Sequence, residues 1–336
     1  MKIDYLIFFL LLISLNIFFV SFYNLYSRYF NIVDRPDKIR KLHKSETKVL
    51  GGTIILLNII LFFIYFYLFN NNYLISIFNE KKDFFVFLIS LILIYFVGIY
   101  DDKLNMPALN KAVILILIIT LSLYLNKNII LDINLSFYRD ISILKFSLFF
   151  SIFAYIVFMN AFNMLDGINL QIGIYSLFIL SYLLFKGLDL VFGITIILGI
   201  LSYLKLNFEN KIFLGDNGAL ILSYIFAYFF IDLYNEKKIV FSDEILLILL
   251  IPGLEIIRLS IKRIISNKSI LLPDRRHIHH LILVDKKFYL SVTIIQIIFV
   301  FPYLLSLMIK NNAYSICIST LLYISIIFYF SKNERK

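Results

Sequence analysis

The chain alternates between long apolar runs and short polar segments. A bilayer core is crossed by a helix of about 20 apolar residues, and backbone polar groups at membrane depth must be satisfied within the segment itself. The pattern therefore predicts an all-α fold, a polytopic transmembrane helix bundle of about eleven spans, with about ten as the alternative count. The predicted spans are 3–24, 50–69, 84–100, 109–126, 146–165, 168–185, 188–206, 218–235, 245–264, 288–309 and 313–330.

Composition supports one integral membrane domain over residues 1–336. The chain is 61% hydrophobic and 16% charged, with a mean hydropathy of +0.90, whereas soluble domains are about a quarter charged. The net charge of +10 does not indicate nucleic-acid binding, because Lys and Arg lie in short loops between apolar runs. The expected partner is the lipid bilayer. The single cysteine, Cys317, excludes a disulfide within the chain.

The distribution of cations predicts the orientation. With an odd number of spans, one side holds the loops 25–49, 101–111, 166–171, 205–217 and 258–287 and the C-terminal tail. These segments carry 22 of the 32 Lys and Arg residues. The positive-inside rule makes this side cytoplasmic. The N-terminus is then outside and the C-terminus is cytoplasmic.

Two adjacent carboxylates, Asp101 and Asp102, close the third apolar run (VGIYDD). Like charges at the mouth of a membrane helix repel each other, so something must favour keeping them together. A divalent cation, or a phosphate-bearing substrate with its metal, would do so. The alternative is that two acids simply end a helix in water. Lys111 follows as a cation entering the next span.

Two further polar segments carry acids beside glycines. Asn160, Asn163, Asp166 and Asn169 recur at intervals of three, and at helical spacing they would form one stripe. The alternative is that the Asn residues bond neighbouring helices. In the segment 213–220 (FLGDNGAL), two glycines bracket Asp216 before the next helix, where a helix N-terminus attracts phosphate; this motif also reads as a plain turn.

Two cationic segments complete the set. Arg40, Lys41 and His43 lie in the first loop, where a basic group is most often a topology signal or a lipid contact. The segment PDRRHIHHL holds three of the four histidines. A zinc site is the alternative there, but the adjacent Arg pair favours an anion. The candidates in this segment are Arg275, Arg276, His277, His279 and His280.

All these segments fall on the predicted cytoplasmic face. The active-site loops are expected near 25–49, 101–111, 160–171, 205–219 and 265–287. Acids for a metal, amides for orientation and Arg or His for phosphate oxygens are the groups that phosphoryl transfer requires.

The chain resembles the polyprenyl-phosphate N-acetylhexosamine-1-phosphate transferases, members of glycosyltransferase family 4, and within them the WecA-like branch. The motifs that carry the resemblance run in family order along nearly the whole chain. They are D-x-P…R-K-x-H…G-G (Asp34 to Gly52), the Asp pair, N-x-x-N-x-x-D-G (Asn160 to Gly167), G-D-x-G (Gly215 to Gly218) and H-I-H-H (His277 to His280).

The resemblance implies transfer of a sugar 1-phosphate from a UDP-N-acetylhexosamine to undecaprenyl or another polyprenyl phosphate, with release of UMP. The implied pathway is cell-envelope synthesis such as O-antigen and lipopolysaccharide. The implied cofactor is Mg²⁺, with Mn²⁺ as an alternative. The resemblance also suggests a homodimer in the bacterial inner membrane with its active site facing the cytoplasm.

The resemblance assigns roles residue by residue. Asp216, Asp102 and Asp166 would bind the metal, and Asp101, Asp102 and Asp166 would be catalytic. Phosphate and sugar groups would be bound by Lys111, Asn160, Asn163, Arg275, Arg276, His277, His279, His280, Arg40, Lys41 and His43.

Some positions depart from the family pattern. The family often reads D-G-x-D-G, but this chain has Asn169 and Leu170 at the last two positions. Asn keeps hydrogen bonding and loses the charge. These departures motivate one competing hypothesis, a degenerate relative that binds without turnover. A separate alternative is a membrane transporter. A transporter would place ionisable residues near the middle of its spans.

Overall fold

The structure, a computed structural model, describes residues 2–30, 32–34, 47–267 and 277–333. Five of the predicted site residues lie outside these ranges, so their predicted roles have no structural counterpart here. They are Arg40, Lys41, His43, Arg275 and Arg276.

A helix occupies each of the predicted spans, which confirms the all-α class. The long helices are α1 (Lys2–Ser21), α3 (Gly51–Phe69), α5 (Lys81–Leu104), α6 (Ala108–Asn126), α7 (Ser147–Met164), α8 (Gln171–Phe185), α9 (Leu190–Phe208), α10 (Gly215–Asn235), α11 (Ser242–Ile265), α13 (Phe288–Ile309) and α14 (Asn312–Asn333). Three shorter helices are α2 (Tyr23–Phe30), α4 (Asn71–Phe78) and α12 (Ile278–Asp285).

Nine of the described helices are long and apolar enough to cross a membrane. The helix α8 is apolar but has only 15 residues, and α11 carries acidic and basic side chains among its apolar ones. The chain is therefore a multi-pass membrane protein. The count of about eleven spans and the orientation of the termini stay predictions.

The helix α10 is the centre of the bundle. In its apolar window 94% of the residues are buried, and it packs against α3, α5 and α7. A helix that is hydrophobic all round must be enclosed by other helices. Because α10 begins at Gly215, the G-D-x-G motif lies at the N-terminus of the central helix.

Short strands pair the loops at each end of the bundle. At one end, β1 (Val33–Asp34) pairs antiparallel with β2 (Thr47–Val49), which pairs parallel with β5 (Ile212–Phe213). At the other end, β3 (Asp132–Leu135) and β4 (Tyr138–Ser142) form a hairpin. The first sheet joins two loops that the cation distribution had placed on the same face.

The predicted Asn stripe is wrong in its second half. The helix α7 ends at Met164, and residues 165–170 form turns before α8 begins at Gln171. Leu170 has φ +69°, a left-handed conformation that side chains other than Gly rarely adopt. Asn163 is therefore on a helix, whereas Asp166 and Asn169 lie in the turn that follows. The four residues do not form one helical stripe.

Candidate active site

The short turn between α5 and α6 places the side chain of Lys111 beside the carboxylate of Asp101. Asn105, in the left-handed conformation, closes the helix by donating its N–H to the carbonyl of Asp101 (2.8 Å). Pro107 then precedes the first residue of α6. The side chain of Lys111, in the first turn of α6, consequently reaches Asp101 with Nζ 2.7 Å from Oδ2.

Lys111 joins two carboxylates from different helices. Its ammonium also forms an ion pair with Asp216 at the start of α10. The carboxyl groups of Asp101 and Asp216 therefore lie close together on either side of this ammonium, and the side chain of Asn163 lies beside Asp216. The second oxygen of Asp101 accepts the N–H of Met106 (2.7 Å). Three predicted site segments thus converge on one cation.

Asp102 points in a different direction from Asp101. Its Oδ1 accepts the N–H of Asp216 (2.9 Å), and its Oδ2 accepts the N–H (3.1 Å) and the side-chain amide (2.5 Å) of Asn217. The residue before α10, Leu214, supplies no side-chain cap. Asp102 therefore caps the N-terminus of α10 from the neighbouring helix, where a negative charge is favoured. Adjacent acids, predicted as one pair, thus perform two different tasks in the fold.

Glycines allow the helices to meet around Asn217. A Cβ at Gly98 on α5 would overlap the backbone of Asn217, and a Cβ at Gly52 on α3 would overlap its side chain. Asn217 is fully buried at this crossing. Gly215 has φ +77°, which favours glycine, and its Cα lies against Val49. The close approach holds Asp102 beside the first turn of α10.

The turn after α7 meets the histidine segment. Gly167, next to the half-buried Asp166, lies so close to the ring of His279 that a Cβ would overlap it. The rings of His277 and His279 are parallel, with centroids 5.3 Å apart, and His280 packs against His279 at 4.3 Å. The D-G and H-I-H-H motifs, more than a hundred residues apart in sequence, are in direct contact.

His279 is a buried, neutral imidazole. It is 1% exposed, and neither ring nitrogen has a hydrogen-bond partner among the described residues. Burial, followed by the neighbouring charges of His280 and His277, lowers the pKa of His279 well below its usual range. Its two ring nitrogens are thus buried polar atoms without a hydrogen-bond partner among the described residues, which is costly unless a bound molecule or a small rearrangement supplies one.

This buried imidazole should make stability depend on pH. The unfolded chain binds a proton at His279 below about pH 6.5, whereas the folded chain does so only at lower pH, so stability falls as pH falls below about 6.5. The expected slope from this one group is up to about 1.4 kcal/mol per pH unit. Thermal unfolding in detergent between pH 5 and 8 measures it. His279→Asn should flatten the curve relative to the matched His280→Asn, and an equal slope in both variants would contradict the assignment.

Two predicted amide positions do not join the carboxylates. The side chain of Asn160, one turn before Asn163, is exposed and donates to Sδ of Met164 (3.8 Å). Asn169, the departure from the family pattern, donates to Oδ1 of Asn210 (2.7 Å) and exchanges hydrogen bonds with Asn207. Asn169 therefore links the turn to the loop after α9, which is a structural task.

The donor chemistry of the cluster fits Mg²⁺. The ion is usually held by one or two carboxylates together with substrate phosphates. Asp101 and Asp216 are two such carboxylates, already sharing the cation of Lys111. Within the described ranges, no set of three His, Cys, Asp or Glu side chains forms a metal-binding group. Metal binding by Asp216, Asp102 and Asp166 stays a prediction.

Several residues of the site were not anticipated. Asn217 is the unspecified position of G-D-x-G, and Glu255 lies in the middle of an apolar run. Glu255 and Arg258, three residues apart on α11, form an ion pair (2.9 Å). An acid and a base at helical spacing inside a predicted span is a signal that sequence reasoning can use, because such charges are costly unless paired.

Comparison with known proteins gives a consistent result. Residues 84–234 match the family model of glycosyl transferase family 4. Undecaprenyl-phosphate alpha-N-acetylglucosaminyl 1-phosphate transferases are similar over most of the chain. The protein from Salmonella typhi is 26% identical over 75% of this chain and 69% of its own length, and that from Escherichia coli K12 is 25% identical over 81% and 75%.

A third relative of the same name, from Thermotoga maritima, is 25% identical over 79% of this chain and 78% of its own length. The matched family region contains the Asp pair, Lys111, Asn163 and Asp216, so the cluster described above lies inside it. Residues 84–234 are a glycosyl transferase family 4 region, and the family resemblance predicted from the motifs is confirmed.

Proposed function

We propose that this protein transfers a sugar 1-phosphate from a UDP-N-acetylhexosamine to undecaprenyl phosphate or a similar polyprenyl phosphate, releasing UMP. The observation that carries the proposal is the meeting of Asp101, Lys111 and Asp216 at the start of the central helix. The relatives named for this reaction support it. Dependence on Mg²⁺ and a role in O-antigen or lipopolysaccharide synthesis belong to the same proposal.

In the proposed reaction, an oxygen of the lipid phosphate attacks the phosphorus that carries the sugar. A new P–O–P bond forms, the bond to the bridging oxygen breaks, and UMP leaves with that oxygen. Because the reactants are anionic, the site must supply positive charge and position them. The ammonium of Lys111, 15% exposed, provides a charge that a phosphate oxygen can share with the carboxylates.

The carboxylates have separate parts in this proposal. Asp101 lies beside Lys111 and would accept a proton from the lipid phosphate. When Mg²⁺ is bound, Asp216 would hold it together with phosphate oxygens of the substrate, and the chemistry it supplies is neutralisation of pyrophosphate charge. Asp102 would keep Asp216 in place through the N-terminus of α10. Asn163 would orient the carboxylate of Asp216.

The histidine group (His277, His279 and His280) would bind the donor. His279 has two ring nitrogens without a hydrogen-bond partner in the part of the chain that the structure describes, and it lies beside Gly167, which follows Asp166 in the turn. Neutral imidazoles can donate and accept hydrogen bonds to a nucleotide or sugar. The active site would face the cytoplasm, where UDP-sugars are made, and the excess of Lys and Arg on that predicted side supports this orientation.

The proposal is tested by UMP release from purified protein in detergent. The assay combines undecaprenyl phosphate with a panel of UDP-N-acetyl sugars, with Mg²⁺, with Mn²⁺ and with EDTA. We expect release with at least one sugar, none without the lipid and none in EDTA. Nucleotide binding without release from any donor would instead favour the degenerate relative.

A further inference from the structure

A buried carboxylate on α11 connects three helices next to the histidine group. Glu255 is 2% exposed, and its oxygens accept hydrogen bonds from Arg258 on the same helix (3.2 and 2.9 Å) and from the hydroxyl of Tyr323 on α14. Arg258 also donates to the Tyr323 hydroxyl (3.0 Å). A buried charge is retained only when it is paired and hydrogen-bonded in this way.

The remaining contacts of Glu255 lead to the histidine group. Its Oε2 accepts the backbone N–H of Ile278, the first residue of α12 (3.2 Å), and lies 3.7 Å from Nδ1 of His277. The helix α12 has no side-chain cap from its own N-cap residue, His277. Glu255 therefore supplies from another helix the acceptor that the first turn of α12 requires.

The position of α12 determines the position of His279. The ring of His279 lies parallel to that of His277 on one side and meets Gly167 on the other. A shift at the start of α12 would therefore move the imidazole away from the turn that carries Asp166. Displacements of about 1 Å at such supporting residues are sufficient to weaken binding or catalysis considerably.

We propose that Glu255, held by Arg258 and Tyr323, is the positioning residue of the histidine group and thereby sets the affinity of the site for the nucleotide-sugar donor. This inference rests on the proposed function, in which the histidine group binds that donor. It also gives α14 a task in the site, although this helix and Glu255 both lie outside the family region 84–234. The contact of Glu255 with the reacting atoms is indirect, through α12.

The test compares Glu255→Gln and Tyr323→Phe with wild type in the UMP-release assay. Gln keeps the size of Glu255 but removes its charge, and Phe removes one hydroxyl that donates to it. We expect Glu255→Gln to raise the KM for the UDP-sugar at least about tenfold and to leave kcat within about threefold, since uniform binding is lost. Tyr323→Phe should raise the same KM by about two- to fivefold, which corresponds to one lost hydrogen bond. The KM for the lipid phosphate should not change.

Tyr175→Phe is the matched control. Tyr175 is buried, as Tyr323 is, and its hydroxyl donates to the carbonyl of Ile248 on α11 (2.6 Å), a contact that does not involve α12. This variant should keep the wild-type KM values. Binding of UMP, measured by calorimetry, should weaken in Glu255→Gln and Tyr323→Phe and stay unchanged in Tyr175→Phe.

The outcomes separate the two proposals. A wild-type protein that releases no UMP would contradict the proposed function, whatever the variants do. With an active wild type, a fall in kcat without a change in donor KM would overturn the positioning role of Glu255. If Glu255→Gln does not fold, Tyr323→Phe decides, because it keeps the carboxylate; an unchanged donor KM in this variant overturns the proposal.

Discussion

Asp216→Asn is expected to lower UMP release at least about 100-fold. Asp216 provides one of two carboxylates around Lys111, and its loss removes charge where the reaction must manage several phosphates. The side chain keeps its size, and the backbone N–H of residue 216 can still donate to Asp102. We therefore expect the melting temperature to change little. Steady-state UMP release and thermal unfolding of the same preparation measure both effects.

The adjacent acids should then respond differently to the same substitution. Asp101→Asn removes one of the two negative charges that Lys111 contacts, so it should lower turnover and leave folding nearly intact. Asp102→Asn removes the charge that caps α10 and replaces one of the two acceptor oxygens with an NH2 group that cannot accept, so it should lower both turnover and melting temperature. The loss of one such cap is typically about 1 kcal/mol.

Two results would contradict these assignments. Full activity in Asp216→Asn would remove this carboxylate from the chemistry. Identical effects of Asp101→Asn and Asp102→Asn on turnover and on melting temperature would contradict the division of tasks between the two acids.

Gly98→Ala is expected to reduce activity by at least about 100-fold and to destabilise the protein. The added Cβ would overlap the backbone of Asn217, which cannot move aside as a flexible side chain can. The helices α5 and α10 would have to separate, and Asp102 would lose its alignment with the first turn of α10. Overpacking of this kind costs about 1–3 kcal/mol, and small displacements of reacting groups reduce rates strongly.

Gly253→Ala is the matched control for this substitution. Gly253 also lies within a long helix, α11, and a Cβ there would meet no atom of the described residues within 4 Å. Alanine favours a helix over glycine by about 1 kcal/mol, so the variant should be as stable as wild type or more so. Equal activities of Gly98→Ala and Gly253→Ala would show that the crossing at Asn217 tolerates the extra atom.

Much of the fold could be predicted because the membrane leaves few alternatives. A run of about 20 apolar residues must be a helix when its backbone cannot bond water, and helices do occupy all the predicted segments. The predictions failed where the chain leaves the apolar runs. The Asn residues at intervals of three indicated one helical stripe, yet α7 ends at Met164, because turn geometry depends on contacts with the loop after α9.

The candidate site was predicted in part for a related reason. Asp101, Lys111, Asn163 and Asp216 were singled out, and the structure brings them together. Asn160 was singled out by the same spacing rule, but its side chain is exposed and does not join the carboxylates. Spacing identifies a helical face, but it does not determine which residue on that face another helix approaches. Glu255 was missed although Arg258, three residues further along α11, gave a local signal. Its contacts with Ile278 and Tyr323 on two other helices could not be predicted from spacing.

The sequence by itself determined the class of this protein, a multi-pass helical membrane protein with a glycosyl transferase family 4 region. The length of an apolar run and the order of motifs are properties of the sequence itself, so they can be recognised without knowing how the helices pack. Only the tertiary structure decided that Asp101 pairs with Lys111 while its neighbour Asp102 caps α10, and that Gly167 meets His279. These relations depend on helix crossings between residues far apart in the chain, which local patterns do not encode.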